Sequence, residues 1–410
     1  MTEPIGNSHY INQMNKIKVV TLIRNTGAIS RADIARESGL SAPTVSRIVE
    51  NLIGEGLVLE TGEGESHGGR RPTLLKLSAA ANGIIGIDLG TTNIYGVLTD
   101  LDANIVAEIR RPTRVEEGFQ KVMERTSEVI DALKESPENK TRKIHGIGMA
   151  VAGLINRRRN IVEFSPDFHW HSVDVVGALA GKHDIPVIFD NVTRVMAIGE
   201  KWYGIGKTCR NFICVNVGYG IGAGIIVDGQ PLYGPSGMAG EFGHITLDRD
   251  STIQCECGNY GCLEALASGN AIAKAAQSAL DQGGKSLLRD LCDGQVGLIT
   301  AEMVAAAAKQ GDVIAWEVFD RAMEYLGLGI ASLINLFTPE VVVIGGGVAQ
   351  AGDILFDRVR KTVLARSMKK ISEGLLVKPA TFGAKAAVMG AVSLVLRDVL
   401  SMNNAAVPQV

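Results

Sequence analysis

The chain has 410 residues and 46% hydrophobic content, which is enough for two or three domains because a single core rarely grows past about 250–300 residues. Its net charge of −3 excludes a protein that binds nucleic acid through bulk positive charge. The first residues show neither a basic leader nor an apolar core, and no apolar run approaches the ~20 residues of a membrane span. We therefore expect a cytoplasmic protein without membrane insertion.

Residues 14–60 have the pattern of three short helices. Ser30 begins a capping-box pattern, and Ser41 is a second N-cap with Pro43 in the turn that follows. Apolar residues at helical spacing predict one buried stripe on the third helix: Val45, Ile48, Val49 and Leu52. Two helices joined by a tight Gly-containing turn predict a helix-turn-helix. A small three-helix unit could also pack in this way without contacting DNA.

The segments 57–60 and 73–77 predict two strands around a Gly-rich loop, which would form a wing. The tip of this wing carries two adjacent guanidinium groups, which suit the electronegative minor groove of A·T-rich DNA. We predict DNA contacts from the exposed side of the third helix and from the wing tip at Pro43, Thr44, Ser46, Arg47, Arg70 and Arg71. Symmetric operators are read by dimers, so we expect a homodimer or a dimer of dimers.

From Ile84 onward the sequence changes to long apolar strands and glycine. Residues 84–100 and 211–228 each have the pattern strand, Gly-rich tip, strand, which predicts two related lobes. Backbone N–H groups at such tips can bind phosphate, although a tight hairpin turn would also use glycine. We predict a winged helix over 1–80, a first lobe over 81–190 to which a helix at 384–400 returns, and a second lobe over 191–383.

Three cysteines crowd into the segment Cys255-x-Cys257-x4-Cys262, and the nearest upstream imidazole belongs to His244. Three thiolates and one imidazole make a closed tetrahedral zinc site. The spacing therefore predicts structural zinc, with a reduced cysteine cluster or an adventitious disulfide as the alternative. Because such a metal shell is full, it argues against a zinc-dependent hydrolase.

Sugar hydroxyls donate and accept hydrogen bonds, so carboxylates and amides are their natural partners. The candidates for a sugar pocket are Asp167, Asn191, Glu241, His244 and Glu264. Each of them alone could equally be a surface or capping group. Glu264, for example, could be the acidic residue in the first turn of a helix that begins near Leu263.

The cysteine segment, the run Gly240-Glu241-Phe242-Gly243-His244 and the N-terminal winged helix together resemble the ROK (repressor, ORF, kinase) family. The resemblance covers nearly the whole chain and is to the regulator branch, which includes the xylose repressor, the N-acetylglucosamine repressor and Mlc. It implies an α/β, two-lobed actin/hexokinase-like (ribonuclease-H-like) fold. It also implies zinc at His244, Cys255, Cys257 and Cys262, and sugar contacts at Asn191, Glu241, His244 and Glu264.

The same resemblance implies two partners, operator DNA and a sugar or sugar-phosphate effector. The likeness to Mlc leaves open a third partner, a protein of the phosphotransferase system. The apolar-Pro-Asn segment of the family is Ser165-Pro166-Asp167 here, so an acid replaces the usual amide.

Two departures from the family pattern bear on activity. The kinases of the family carry Glu-Asn-Asp, in which the Asp is the general base, whereas this chain has Asp190-Asn191-Val192. Valine cannot accept a proton, and bases of this kind contribute ~10²–10⁴-fold to the rate. The second tip is Gly218-Tyr219-Gly220 instead of Gly-Thr-Gly. We therefore expect only vestigial phosphate binding, by Asp88, Gly90, Thr92, Gly218 and Gly220.

These observations predict a sugar-responsive, DNA-binding transcriptional regulator that represses carbohydrate-utilisation genes and has no catalytic residues. The alternative is an active sugar kinase of the same family with an added DNA-binding domain. The sequence leaves open the sugar and its phosphorylation, the operator, and whether the sugar releases or strengthens DNA binding.

Overall fold

A computed structural model describes residues 8–64, 71–139 and 141–401 of the chain. The protein divides into two compact units. The first unit consists of residues 1–149, 175–189 and 391–410, and the second of residues 150–174 and 190–390. The predicted domain boundaries at residues 80, 190 and 383 stay a prediction.

The helices and strands of the first unit are α1 (Ser8–Thr26), β1 (Ile29–Ser30), α2 (Arg31–Ser38), α3 (Ala42–Gly54), β2 (Val58–Glu63), β3 (Thr73–Leu77), β4 (Asn82–Leu89), β5 (Asn93–Thr99), β6 (Ile105–Pro112), α4 (Phe119–Lys134) and β7 (Lys143–Val151). The chain continues through β8 (Leu154–Asn156), β9 (Ile161–Ser165), β10 (Trp170–Val173), α5 (Val175–Ala180), β11 (Val187–Asn191) and α6 (Val192–Trp202).

The second unit continues with β12 (Phe212–Val217), β13 (Ile221–Val227), β14 (Gln230–Pro231), α7 (Leu263–Ala267), α8 (Gly269–Asp281), α9 (Leu288–Leu291), α10 (Ala301–Lys309) and α11 (Val313–Phe337). It ends with β15 (Val341–Gly345), α12 (Asp353–Arg366), α13 (Lys369–Ser372) and β16 (Leu376–Pro379), and α14 (Ala386–Ser401) follows. Within the described residues, no helix combines the length and the apolar character needed to cross a membrane.

The predicted helix-turn-helix and wing are present. Ser30 caps α2 by accepting a hydrogen bond from the Asp33 N–H, and Ser41 caps α3 in the same way through the Thr44 N–H. Gly39 ends α2 with a φ of 69°, a left-handed conformation that glycine adopts without strain. The predicted stripe on α3 is buried, and β2 pairs antiparallel with β3 to form the wing. The sequence pattern therefore predicted this region correctly.

Each unit contains a five-stranded sheet. In the first unit the strand order is β11-β7-β4-β5-β6, and in the second it is β14-β13-β12-β15-β16. The two predicted hairpins are the antiparallel pairs β4–β5 and β12–β13. Strand β15 joins β12 in parallel, so the second sheet is mixed. A smaller sheet, β10-β9-β8, lies in the second unit between β7 and α5 along the chain.

The core of the second unit forms where α11 packs with the sheet and neighbouring helices. Phe319, Leu326 and Ile330 of α11 are buried in one cluster with Val215 of β12 and Ile344 of β15. Burial of apolar surface stabilises such a cluster by roughly 25 cal/mol per Å².

The helix that begins at Leu263 is short, because the chain leaves the helical conformation at Ser268. This residue adopts an extended conformation and accepts a hydrogen bond from the Ala271 N–H, which caps α8. Serine is a preferred N-cap residue, and a Ser-Gly pair marks a turn. The break separates α7, which carries Glu264, from the longer α8.

Candidate functional site

Four potential metal ligands converge in the second unit. The ligand atoms of His244, Cys255, Cys257 and Cys262 all lie within 4.8 Å of one another. His244 Nδ1 is 3.6 Å from Cys255 Sγ, and the Sγ atoms of Cys257 and Cys262 are 3.7 Å apart. In a tetrahedral zinc site with ordinary bond lengths these separations are ~3.6 Å and ~3.8 Å. The four residues therefore fit a zinc ion, and all four positions of a tetrahedral shell are supplied by protein.

Glycines allow the cysteine segment to fold back on itself. Gly258 and Gly261 have φ values of 93° and 65°, and a Cβ on Gly261 would lie 1.8 Å from the Asp248 carbonyl oxygen. The N–H of Cys255 donates to the Asn259 carbonyl at 2.8 Å, which closes the turn. Burial raises the pKa of the Cys255 and Cys262 thiols and so favours their neutral form. A bound cation would oppose this rise and favour the thiolate form.

His244 presents its two ring nitrogens to different partners. Its Nδ1 faces the cysteines, whereas its Nε2 lies 4.0 Å from Glu241 Oε2. Burial raises the pKa of Glu241 to about 7, Arg194 opposes this rise and Glu264 adds to it. The arrangement allows one imidazole to belong to the metal cluster and to contact a polar ligand beside Glu241.

Glu264 lies in the first turn of α7, as an acid that caps a helix would, but its carboxylate is engaged elsewhere. Its Oε2 accepts a hydrogen bond of 2.8 Å from the Ile221 N–H. Gly220 makes this approach possible, because a Cβ on that residue would lie 2.4 Å from Oε2. Glu264 therefore connects the tip of the β12–β13 hairpin to the cysteine segment.

Asp167 is held in a tight turn in which the His169 N–H donates to the Pro166 carbonyl at 3.1 Å. Phe168 and Trp170 anchor the turn, since their rings are buried and their centroids lie 4.4 Å apart. Burial raises the pKa of Asp167 to about 6, and the charges of nearby Glu264 and Glu256 add to the shift. A pocket beside Asp167 is lined also by Tyr219, Glu256, Glu264, Asn270 and Lys274.

Asn191 serves a clear local role. Its Oδ1 accepts hydrogen bonds from the N–H and Oγ1 of Thr193, which caps α6, and its Nδ2 donates to the Gly153 carbonyl at 2.9 Å. Val192, at the position expected for a general base, is the first residue of α6. The charges of Glu264 and His244 therefore act on Asp167, and the charge of Glu264 also acts on Glu241. The hydrogen bonds described for Asn191, by contrast, are structural.

One amide at each Gly-rich tip donates a hydrogen bond within the protein. In the first unit the Gly90 N–H donates to the Asn93 carbonyl at 3.1 Å. Burial raises the pKa of the neighbouring Asp88 to about 6, against the opposing effect of Arg110. In the second unit the Gly218 N–H donates to the Gly220 carbonyl at 2.9 Å. These two amides therefore close turns of the chain.

The predicted DNA-contacting residues lie on one side of α3. Pro43 and Arg47 are exposed, and Thr44 and Ser46 are half-buried. The Arg47 guanidinium donates a hydrogen bond to the Asn12 side chain of α1 at 2.9 Å. Arg71 is exposed at the base of the wing, whereas Arg70 lies outside the described residues.

Sequence reasoning missed Glu256, Asn270 and Lys274 as lining residues, since no local pattern brings them beside Asp167. It also missed Arg194, which pairs with Asp190 in a buried ion pair and donates to the Ala239 carbonyl next to the Glu241 segment. The available signal was an acid at the end of one predicted element followed four residues later by an arginine, although Asp190 belongs to β11 and only Arg194 to α6.

Comparison with known proteins identifies the family. The model of the ROK family matches residues 84–398, which is more than half of the chain. The chain belongs to the ROK family. A model of winged helix-turn-helix DNA-binding domains matches residues 15–58 in addition. The predicted fold, a winged helix followed by a two-lobed, actin-like α/β ROK domain, is therefore confirmed.

Both ROK regulators and ROK kinases are similar to this chain. The xylose repressor of Caldicellulosiruptor bescii is 33% identical and covers 97% of this chain and 99% of its own length. A solved ROK family transcriptional regulator, a homologue of the Escherichia coli Mlc protein, is 29% identical with a TM-score of 0.82, covering 96% of this chain and 98% of its own. The glucokinase of Halalkalibacterium halodurans is 32% identical and covers 78% of this chain and 96% of its own length.

Proposed function

We propose that the protein is a sugar-responsive transcriptional repressor of carbohydrate-utilisation genes. The observation that carries this proposal is that one chain joins a winged helix-turn-helix to a ROK domain along its whole length, as in the xylose repressor it resembles. A kinase without the DNA-binding region matches only part of the chain. Because such a repressor acts on chromosomal DNA, we place it in the cytoplasm.

On the DNA side, α3 would enter the major groove with Thr44 and Arg47, and Pro43 and Ser46 would lie close to the backbone. The Arg47 guanidinium has five N–H donors, of which Asn12 engages one. The remaining donors suit a guanine edge or a phosphate. Arg70 and Arg71 would reach the minor groove from the wing. Two-fold operators favour a homodimer or a dimer of dimers as the active form.

On the sugar side, Asp167, Glu241, His244 and Glu264 would bind the hydroxyl groups of the effector, with Asn191 at the start of α6 beside them. Zinc, when bound by His244, Cys255, Cys257 and Cys262, would supply positive charge and a rigid closed shell, without an open position for chemistry. The chain's own residues would then bind and orient the sugar. Fixing the His244 ring directs its Nε2 toward Glu241, so both groups would meet the sugar in one orientation.

Several features argue against catalysis. Val192 at the start of α6 offers no proton acceptor, and the amides of Gly90 and Gly218 are engaged in their own turns. Tyr219 occupies the place of a small hydroxyl residue in the second tip. The similarity to a glucokinase keeps an active sugar kinase as the second candidate function.

A coupled assay for ADP release separates the two candidates. With ATP, Mg²⁺ and any of xylose, glucose or N-acetylglucosamine, we expect no turnover above the background without sugar. The glucokinase, assayed in parallel, provides the positive control. Sugar-dependent ADP release at an ordinary enzymatic rate of ~1 s⁻¹ or more would overturn the repressor proposal in favour of the kinase.

Regulation through a phosphotransferase-system protein is a further proposal, which rests only on the resemblance of the sequence to Mlc. It predicts binding of such a protein to the ROK domain in the absence of sugar. Chromatography of the full-length protein with and without a candidate partner tests it.

A further inference from the structure

Arg47 is the one basic residue of α3, and its exposed side chain has a partner on another helix. The guanidinium donates from Nη2 to Oδ1 of Asn12 in α1 at 2.9 Å. An exposed arginine otherwise samples many rotamers, and ordering it on binding costs conformational entropy. The contact with Asn12 therefore restricts the Arg47 side chain before DNA binds.

The helix that carries Asn12 is itself fixed to the other helices of the winged helix. One turn after Asn12, Lys16 pairs with Glu55 at the end of α3, with a distance of 3.0 Å. Lys18 donates to the Ser38 carbonyl at the end of α2. The buried residues further along α1 are Val19, Val20 and Ile23. Asn12 thus projects from a helix that is tied to both α2 and α3, and this gives Arg47 a firm support.

The partner of Arg47 is a neutral amide. Arg31, at the start of α2, instead pairs with the Glu60 carboxylate at 2.9 Å. A carboxylate partner offsets the charge of a guanidinium and competes with the acceptors of a nucleic acid. Within the described residues Arg47 forms no ion pair. Asn12 therefore orients the Arg47 guanidinium and leaves its charge available to DNA.

Thr44 lies one turn before Arg47 on α3, and its hydroxyl group also has a partner. The Oγ1 atom of Thr44 is 2.8 Å from the Oγ atom of Ser41, the N-cap residue of α3. The two polar side chains that α3 would bring to base edges are therefore both ordered in the free protein. Asn12 engages one of the five guanidinium N–H groups of Arg47, so enough donors are left for the O6 and N7 atoms of a guanine.

We propose that Asn12 is a specificity-determining residue of the DNA interface, which positions Arg47 to read a guanine in the major groove. The inference rests on the proposed function, because it names how the winged helix would select its operator. A side chain that is already ordered pays less for the correct contact. Without this support the Arg47 guanidinium would also reach neighbouring phosphates, which carry no sequence information, and would discriminate less between base pairs.

Fluorescence anisotropy of the full-length protein tests the proposal. The duplexes are one selected from a randomised library with this protein and its variants with single base-pair substitutions. Arg47→Ala identifies the base pair that Arg47 reads, as the position at which discrimination is lost. At this G·C pair we expect the unaltered protein to prefer the selected duplex by at least about 10-fold. Asn12→Ala should lower this ratio by at least about 3-fold and leave the ratios at other base pairs unchanged.

Two further variants separate positioning from a general effect on the helix. Asn25→Ala is the matched control, because Asn25 is an exposed asparagine at the other end of α1, where it accepts a hydrogen bond from Arg24 at 3.5 Å. This control should leave every ratio unchanged. Asn12→Asp keeps the acceptor oxygen and adds a negative charge, so it should preserve the ratio at the G·C pair while weakening the binding of all duplexes.

An unchanged ratio in Asn12→Ala, or an equal loss in Asn25→Ala or Asn12→Asp, would overturn the inference. A further loss of operator affinity when Asn12→Ala is added to Arg47→Ala would also overturn it, because Asn12 would then act on DNA without Arg47. The same holds if Arg47→Ala removes discrimination at no base pair. All these results leave the repressor proposal standing. A library that yields no preferred duplex would instead overturn the DNA-binding part of the proposed function, and the inference with it.

Discussion

Asp190 and Arg194 form an ion pair whose side chains are only 2% and 3% exposed. The guanidinium donates to Asp190 Oδ1 through Nε and Nη2, and its Nη1 donates to the Ala239 carbonyl. The pair therefore ties the start of α6 to the segment that carries Glu241. Removing one partner would leave the other charge buried and unpaired.

We expect Arg194→Met to destabilise the protein by about 3–5 kcal/mol, since this is the usual cost of breaking a buried pair from one side. The double variant Asp190→Leu/Arg194→Met should recover much of that stability, because no unpaired charge remains. Urea unfolding followed by tryptophan fluorescence measures both. Arg210→Met, which breaks an exposed pair with Asp228, is the control and should leave the midpoint unchanged; equal effects of Arg194→Met and the control would contradict the account.

Asp88, at the end of β4, gives a prediction with a defined pH dependence. Burial raises its pKa from 3.8 to about 6, so the folded state binds a proton more tightly than the unfolded chain does. Stability then falls as the pH rises from about 4 to about 6, and at neutral pH the charged group costs at most about 3 kcal/mol. Asp88→Asn should raise the melting temperature at pH 7.5, with roughly half that gain at pH 5. A gain of the same size at both pH values would show that ionisation is not its cause.

The cysteine segment connects the metal cluster to two of the proposed sugar ligands, Glu241 through His244 and Glu264 through Cys255. Cys262→Ser should release zinc, loosen both carboxylates and abolish sugar binding. Metal analysis and sugar titration on the same preparation measure the two effects. Cys209→Ser, which alters a half-buried cysteine outside the cluster, should retain both zinc and sugar affinity.

A zinc-free Cys262→Ser protein with normal sugar affinity would contradict this coupling. Zinc would then only hold a surface loop in shape, and the sugar site would form without it.

The wing contributes two arginines to the proposed DNA interface. Arg70→Ala combined with Arg71→Ala should weaken operator binding and reduce the salt dependence, by ~0.9 in the log–log slope for each phosphate that is no longer neutralised. The operator is a duplex selected from a randomised library with the full-length protein, and binding is measured at several salt concentrations. Arg249→Ala, an exposed arginine of the second unit, is the control. An unchanged slope and affinity in the wing variant would exclude the wing from the interface.

The helix caps and the apolar spacing, which depend on residues only a few positions apart, were predicted well from the sequence. The caps at Ser30 and Ser41 and the stripe on α3 follow from side-chain chemistry and helical spacing, and the structure confirms them. The interruption at Ser268 was missed because apolar residues continue at helical spacing on both sides of it. The lining of the pocket by Asn270 and Lys274 depends on how α8 packs beside the Asp167 turn, a long-range arrangement that no local pattern contains.

At the scale of the whole molecule, the proposed function needs a ROK domain that binds sugar but does not transfer a phosphoryl group. Val192 removes the proton acceptor, and the Gly218–Tyr219 carbonyls cap α8. The sequence alone indicated Val192, whereas the contacts of the Gly218 and Tyr219 carbonyls required the hydrogen bonds of the structure.

Sugar and operator must then be thermodynamically linked, since an effector that changes operator affinity has its own affinity changed by the same factor. The most direct test is fluorescence anisotropy of the selected operator duplex with the full-length protein, with and without a saturating neutral sugar. We predict that the sugar changes the dissociation constant of the operator by at least about 10-fold, equivalent to ~1.4 kcal/mol of coupling. A sugar that saturates the protein and leaves the operator affinity unchanged would contradict the account.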